Sequence, residues 1–165
     1  MNGSTVTFAM FVGDTDLHRL LSAHNWRGGA LAHPVMWPAG LRGMVRLMLD
    51  SKVPTAIVWG DERALLYNDP FIQFLGERHP GAIGRPLEEV WADDWAEIAP
   101  LVERAYAGEA LQRDNQLMAV MRDGGEGQSS FTCYYSPLRD DDNRLSGMCC
   151  QVVETGARSS RFNAA

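Results

Sequence analysis

A change in hydrophobic period near residue 50 constrains the fold of this chain most. Over about 38–50, apolar side chains recur at the spacing of a helix with one apolar face: Leu41, Met44, Val45, Met48 and Leu49. The segments 55–59 and 64–67 that follow are β-type runs separated by a turn. The chain therefore joins an amphipathic helix to a β-hairpin. The helical face must cover either the sheet of its own domain or a second copy of the chain.

Capping residues, prolines and glycines divide the middle of the chain into short helices. The string Asn68-Asp69-Pro70 is typical of a helix start and predicts a helix at 70–75. A further helical turn is expected at 86–91, and a longer helix at about 93–107. Because proline lacks a backbone N–H donor, Pro100 is expected to kink or restart that longer helix.

The last third of the chain is β-type. The runs 111–122 and 127–136, joined by a glycine-containing turn, predict a hairpin. Pro137 is expected to halt the second of these strands, and the final strand is predicted at 145–154. The resulting order β-β-α-α-α-β-β-β indicates an α+β fold with an antiparallel sheet that carries helices on one side.

Charge and composition exclude several classes of partner. Lys and Arg total 15 and Asp and Glu total 21, which gives a net charge of −6. An acidic surface of this kind disfavours nucleic acid and anionic lipid, both of which attract basic faces. No apolar run approaches the roughly 20 residues of a membrane span, and 5–12 lacks the basic flank of a signal peptide. Three cysteines, an odd number, indicate a reducing, cytoplasmic location.

Several short strings stand out by their order and spacing: Trp59-Gly60, Tyr67-Asn68-Asp69, Leu75-Gly76-Glu77-Arg78-His79-Pro80, Gly84-Arg85-Pro86, Glu89-Val90-Trp91, Tyr135-Ser136-Pro137-Leu138-Arg139-Asp140, Gly147 and Glu154-Thr155. Together they resemble a PAS domain, the sensory module of many signalling proteins. The resemblance covers about 38–155, and 24–41 resembles the lead-in to such domains in bacterial sensor histidine kinases.

The resemblance implies a five-stranded antiparallel sheet with short helices on one face and an N-terminal helical extension. The PAS domain is expected at 38–155. The segment 1–37, with a short helix at about 15–24, is expected to serve as a cap or in dimerisation, and 156–165 is expected to form a flexible tail.

The family implies sensing and interaction rather than catalysis, so no catalytic residue is predicted. A ligand in the cavity, or a partner on the sheet, is expected to repack the flanking helices, with the signal leaving after Glu154 and Thr155. A homodimer and a downstream kinase or other signalling protein are the expected partners. The chain is expected to be either part of a larger kinase or free-standing. The predicted dimer and relay positions in the helices are Leu17, Leu20, Leu21, Leu41, Met44, Val45, Met48 and Leu49.

Strand alternation together with the family resemblance predicts the residues that line the cavity. Successive strand residues face opposite sides, so Cys133 and Cys150 are expected to face inward and Cys149 outward. Plain core packing is the alternative interpretation, because aromatic and sulfur side chains are common core residues. The predicted lining is Tyr67, Phe71, Trp91, Trp95, Ile98, Phe131, Cys133, Tyr135, Met148, Cys150 and Val152.

No cofactor or metal is favoured by the sequence. The cysteine that forms a flavin adduct in light-sensing relatives belongs to a segment that resembles 75–91, which contains none. Haem needs an axial ligand, and 93–107 has no histidine, so only His79 in a loop remains. The other histidines match no compact zinc pattern. A small-molecule or cofactor-binding domain, holding haem, flavin or a metabolite, is the alternative function.

Overall fold

A computed structural model describes residues 10–156 as one five-stranded antiparallel sheet with helices packed on it. The strands are β1 (Thr55–Trp59), β2 (Ala64–Tyr67), β3 (Leu111–Arg122), β4 (Gly125–Arg139) and β5 (Leu145–Glu154). Their order in the sheet is β2-β1-β5-β4-β3, which confirms the predicted α+β fold. The α-helices are α1 (Asp16–Ala23), α2 (Ala39–Asp50), α3 (Leu87–Val90) and α4 (Trp95–Tyr106).

The expectation that Pro137 halts its strand is wrong, and Pro100 does not restart its helix. β4 continues through Pro137, which pairs with Met148 of β5. β3 begins opposite Tyr135, so β4 has no neighbouring strand on its β3 side at Pro137, and a proline is tolerated there. Helix α4 also runs without interruption through Pro100, which lies in its second turn.

The short helical segments follow the predicted start signals. The segment predicted at 70–75 is a 3₁₀ helix, Asp69–Phe74, and the side chain of Asn68 accepts a hydrogen bond from the Phe71 amide at its start. Helix α2 begins one residue after Pro38. Its first two amides, of Ala39 and Gly40, donate to the two carboxylate oxygens of Asp141, each at 2.9 Å. A side chain from the β4–β5 turn therefore caps α2.

The apolar face of α2 covers the sheet of its own chain. Helix α2 packs against β1 and β2, and Ile57 and Leu66, which point away from the cavity side of these strands, are buried. Of the residues predicted to form dimer contacts, six are buried within the chain: Leu17, Leu21, Leu41, Val45, Met48 and Leu49. Leu20 and Met44 are half-buried.

The segment between α1 and α2 belongs to the same core. The rings of Trp26 and Trp37 meet edge to face, 5.3 Å apart, and Phe11 stacks on Trp26 at 5.8 Å. Both indole N–H groups donate to backbone carbonyl groups, which satisfies them inside the core. The described part of 1–37 and the segment 38–155, which the sequence predicted as separate units, thus contribute to one hydrophobic core. The predicted tail, except Gly156, lies outside the described residues.

The half of the sheet that α2 does not cover is exposed on its outer face. Along β3, β4 and β5, side chains that point away from the cavity include four exposed apolar residues: Leu117, Met121, Tyr134 and Val153.

Strands β1 and β5 are packed closely at Gly147. A Cβ atom added to Gly147 of β5 would lie 2.4 Å from the carbonyl oxygen of Val58, so β1 and β5 can approach as they do only with glycine at this position.

Candidate ligand cavity

An apolar cavity of about 90 Å³ lies between the inner face of the sheet and the helices. All five strands contribute to its floor, and the 3₁₀ helix 69–74, α3, Trp91 and α4 form its cover. The lining residues are Ala56, Val58, Leu65, Phe71, Leu87, Trp91, Ile98, Met118, Cys133, Tyr135, Met148, Cys150 and Val152.

Eight of the eleven predicted lining residues lie in this wall: Phe71, Trp91, Ile98, Cys133, Tyr135, Met148, Cys150 and Val152. The two-residue alternation of β4 and β5 places their inward side chains on one face, as the sequence pattern predicted. Whether these side chains contact a ligand stays a prediction, because geometry alone gives their position and not their role.

The other three predicted lining residues lie outside the cavity wall. Tyr67 is buried, but its ring turns toward His79. Phe131 packs edge to face on Phe74, with ring centres 5.1 Å apart, so the 3₁₀ helix separates it from the cavity. Trp95 lies at the start of α4, where its ring is 5.7 Å from the guanidinium carbon of Arg63.

Five lining residues were not predicted from the sequence: Ala56, Val58, Leu65, Leu87 and Met118. The alternation of side chains in the strands 55–59 and 64–67 could have predicted Ala56, Val58 and Leu65. Met118 was hidden by a bulge in β3, where the register with β4 shifts between Arg113 and Gln116 and Asn115 takes a positive φ of 54°. An inserted residue of this kind changes which side chains face inward, and the sequence pattern does not reveal it.

The cavity is small for a large cofactor. An engineered cavity of about 150 Å³ holds benzene, so a space of about 90 Å³ fits a group of only a few heavy atoms. A flavin or haem ring system would require the helical cover to move outward. As it stands, the cavity fits a small apolar group or a single ion.

The polar atoms in the wall are thiols and one phenol. Burial raises the pKa of the Cys133 thiol, while a hydrogen bond with Tyr135 and the charge of Arg113 act in the opposite direction. Burial also raises the pKa values of Tyr135 and Cys150 well above their ordinary values. All three groups are therefore neutral at pH 7, which suits an apolar interior.

A cleft of about 260 Å³ between α4 and β3 adjoins the cavity. The two spaces share five wall residues: Trp91, Ile98, Met118, Cys133 and Tyr135. The outer rim carries charges of both signs, with Asp94 and Glu97 on the helical side and Arg113 on the strand side. Because the two spaces share these wall residues, the cleft offers a route by which a ligand could reach the cavity.

A chain of polar contacts connects the side of the cavity to α1. The Tyr67 hydroxyl hydrogen bonds with Nδ1 of His79 at 2.7 Å, and His79 lies in the field of Asp69. A carboxylate oxygen of Asp69 accepts a hydrogen bond of 2.9 Å from the Thr15 hydroxyl, and Thr15 is the N-cap of α1. Because the Tyr67 ring also lies 6.2 Å from that of Phe71, these contacts join the cavity wall to the N-terminal helix.

A second connection runs through Asn68, whose side chain is fully buried. Its Oδ1 accepts from the amides of Thr55 and Phe71, and its Nδ2 donates to the carbonyl oxygens of Met48 and Val53. One side chain therefore holds together the end of α2, the start of β1 and the 3₁₀ helix beside the cavity. Asn68 acts as the predicted helix cap and also as a junction.

The end of β5 is tied to its neighbours. Glu154, a predicted relay residue, accepts hydrogen bonds from Arg122 of β3 at 2.7 Å and from Ser129 of β4 at 2.7 Å. The backbone amide of Thr155, the other predicted relay residue, donates to the carbonyl oxygen of Ser130 at 2.8 Å. The strand end from which the predicted signal leaves is thus coupled to β3 and β4.

A family model described as PAS fold matches residues 50–160, more than half of the chain. The chain belongs to the PAS family. The match confirms the resemblance seen in the sequence, and with it the general function of this PAS domain as a sensory and signalling module. PAS domains are generally not enzymes. A search of curated protein sequences finds no significant match.

Solved structures of similar fold include other PAS-type domains. The PAS domain of Bordetella pertussis BvgS has a TM-score of 0.58 at 19% identity, covering 75% of this chain and 92% of that one. The phage VqmA–DPO complex has a TM-score of 0.57 at 15% identity, covering 75% of this chain but only 56% of VqmA. The Rhodobacter sphaeroides LOV protein has a TM-score of 0.51 at 17% identity, covering 72% and 68%. Identities this low establish a shared fold alone.

Two features are absent from the described residues, 10–156. Within 10–156, no helix has the length and apolar character needed to cross a membrane. Over the same range, no group of three or more His, Cys, Asp or Glu side chains is arranged to hold a metal ion.

Proposed function

We propose that this PAS domain is an input module of bacterial signal transduction that senses the occupancy of its apolar cavity. A small occupant pushes Phe71 and the 3₁₀ helix that carries it. The displacement then alters the polar contacts that hold α1, and the changed N-terminal helices act on a kinase or another signalling partner. The chain is either the sensor part of a histidine kinase or a free-standing domain, in keeping with both alternatives from the sequence.

The contact series from Phe71 through Tyr67, His79 and Asp69 to Thr15 carries this proposal, and its link between His79 and Asp69 is electrostatic. Its first member lines the cavity, and its last member caps α1. Core packing alone needs no buried phenol–imidazole hydrogen bond at this place, because two apolar rings would fill the same space. A polar series between a cavity and a terminal helix is therefore better explained by communication between the two.

Native mass spectrometry of freshly purified protein tests whether the cavity has an occupant. The useful variant is Val152→Leu, which fills the cavity, with Val153→Leu as its matched control on the exposed outer face. We expect wild type and Val153→Leu to retain a small added mass that Val152→Leu lacks. An added mass of equal abundance in all three proteins would place the occupant elsewhere and count against the proposal.

A second candidate function, binding of a coloured cofactor, is favoured by one observation. LOV proteins share this fold, and their name, Light-Oxygen-Voltage receptor, describes light sensing. A visible absorption spectrum of the purified chain tests it directly. We expect no absorption band at wavelengths longer than those at which the protein's own aromatic side chains absorb. The cavity is too small for a flavin or haem ring system. A bound chromophore would support the second candidate and require a rearranged helical cover.

We also propose that the chain forms a homodimer through its N-terminal helices, using exposed side chains rather than the buried ones predicted. Leu47 is 74% exposed on α2, and Met36 is 73% exposed just before this helix. Light scattering of Leu47→Glu tests the surface, with Leu117→Glu on the exposed sheet face as control. A dimer lost only in Leu47→Glu supports this surface. A dimer lost only in Leu117→Glu places it on the sheet, and a monomeric wild type contradicts the dimer.

A further inference from the structure

Four sulfur atoms from three strands line the one small cavity. Met118 comes from β3, Cys133 from β4, and Met148 and Cys150 from β5. Cys133 lies opposite Val152, so Cys150 is its diagonal neighbour on the same sheet face. The remaining cysteine, Cys149, points to the opposite face and has no part in this cluster.

Two of these sulfur atoms, those of Cys133 and Met118, lie close enough to share one ion. Sγ of Cys133 and Sδ of Met118 are 3.9 Å apart. Metal–sulfur bonds of about 2.3 Å place two ligands of one ion roughly 3.8 Å apart at a tetrahedral angle and about 4.0 Å at a trigonal angle. The Cys133–Met118 pair therefore already has the spacing of two ligands on a single metal ion.

The donor set selects a soft, monovalent ion. Thiolate and thioether sulfur favour Cu(I), whereas Mg²⁺ and Ca²⁺ require oxygen ligands and structural Zn²⁺ sites use cysteine, histidine and carboxylate. The net charge of the bound site also favours Cu(I). One thiolate and one Cu(I) ion form a neutral pair, which an apolar cavity accommodates far more easily than a divalent ion or a free thiolate.

We propose that the cavity binds one Cu(I) ion through the Cys133 thiolate and the Met118 thioether, with the Met148 thioether completing the sulfur shell and the neutral Cys150 thiol beside it. The proposal rests on the proposed sensing function, because the ion is the occupant of that same cavity. Binding converts the Cys133 thiol and Cu(I) into a copper thiolate, and the thiol proton is released to solvent. No oxidation state changes in this step.

The surroundings of Cys133 support such a step. A thiol must lose its proton to ligate a metal, so affinity should rise with pH. Arg113 of β3 lies directly opposite Cys133 of β4, and a positive charge at this position favours the thiolate once it forms. Cys133, Met118 and Tyr135 also line the cleft between α4 and β3, which gives the ion a path inward.

Anaerobic titration of the reduced chain with Cu(I), in competition with the chromogenic chelator bathocuproine disulfonate, tests the site. We expect one ion per chain. Cys133→Ser should weaken binding at least about 100-fold and Met118→Leu about 10-fold, since both remove a ligand. Cys149→Ser is the matched control and should bind as wild type does. Native mass spectrometry with Ag(I), a soft ion of equal charge, gives a second readout on the unmodified chain.

Failure of the copper site and failure of the sensing function are distinguishable. Absence of competition in wild type, or an equal loss in Cys149→Ser and Cys133→Ser, would overturn the copper site. If copper does not bind but Val152→Leu still changes hydrogen exchange in α1, the cavity communicates with α1 and takes a different occupant. If copper binds and neither the ion nor Val152→Leu alters α1, the site stands and the sensing function fails.

Discussion

The hydroxyl of Tyr67 and Nδ1 of His79 lie 2.7 Å apart, which joins the last residue of β2 to the loop after the 3₁₀ helices. The two rings meet nearly edge to face, 5.6 Å between centres, and Tyr67 is 1% exposed. A buried phenol needs a partner for its hydroxyl, and His79 supplies it. This pair is the midpoint of the contact series between the cavity and α1.

Replacement of Tyr67 by phenylalanine should weaken that series and keep the ring. Loss of one buried hydrogen bond lowers the free energy of unfolding by about 1 kcal/mol, and His79 is left without its partner. Urea unfolding measures the change, and Tyr134→Phe on the exposed sheet face is the control. A loss in Tyr67→Phe no larger than in Tyr134→Phe would show that the hydrogen bond contributes nothing to stability.

Acid should destabilise the chain through His79. Burial lowers the pKa of His79 below its ordinary value of 6.5, with Asp69 acting in the opposite direction. As pH falls through 6.5, the unfolded chain takes up a proton more readily than the folded one, so the free energy of unfolding falls until the lower folded pKa is reached. Above pH 6.5 this group adds no pH dependence.

Unfolding curves between pH 5 and 8 measure the effect, with His79→Gln as the test variant. We expect His79→Gln to have a shallower slope below pH 6.5 than wild type. Burial also lowers the pKa of His24, so His24→Gln measures the second contribution separately. An unchanged slope in His79→Gln means that this imidazole is not the titrating group.

Asn68 should be among the most sensitive positions in the chain. Asn68→Ala leaves the Thr55 amide and the Met48 and Val53 carbonyl groups without their side-chain partner, and we expect a loss of about 3 kcal/mol in the free energy of unfolding. Thermal or urea unfolding measures it, with Asn25→Ala, at an exposed position, as control. Similar losses in both variants would contradict the junction described for Asn68.

Gly147 should not accept a side chain. A Cβ atom there would lie 2.4 Å from the Val58 carbonyl oxygen and 2.9 Å from the Trp59 ring, so Gly147→Ala must part β1 from β5. We expect a loss of about 2 kcal/mol in the free energy of unfolding, as in other overpacked cores. Gly124→Ala is the matched control, because nothing lies within 4 Å of its added Cβ atom. Equal stability of the two variants would be inconsistent with this packing.

The strands, their order along the chain and most of the cavity wall followed from local patterns. Alternation in β4 and β5 separated Cys133 and Cys150 from Cys149, and the resemblance to PAS domains indicated which face meets the cavity. The Asn68–Pro70 string marked the 3₁₀ helix. Alternation and helix-start signals depend on neighbouring residues alone, so the sequence contains them.

What could not be predicted depends on contacts between distant segments. The cap that Asp141 forms on α2 spans about a hundred residues of chain, and the bulge that places Met118 in the wall appears only when β3 pairs with β4. The side chain of Tyr67 leaves the expected lining because His79 offers it a hydrogen bond. The burial of Leu41 and Val45 likewise required knowing that α2 folds onto its own sheet.

The central claim is that the state of the cavity reaches α1. Hydrogen exchange of the α1 amides, compared between Val152→Leu and Val153→Leu, tests it most directly, because the two variants add the same group on opposite faces of β5. We predict that filling the cavity with Val152→Leu changes protection at His18 and Arg19, whose amides bond to Thr15, while Val153→Leu leaves it as in wild type. Identical α1 exchange in all three proteins would contradict the account.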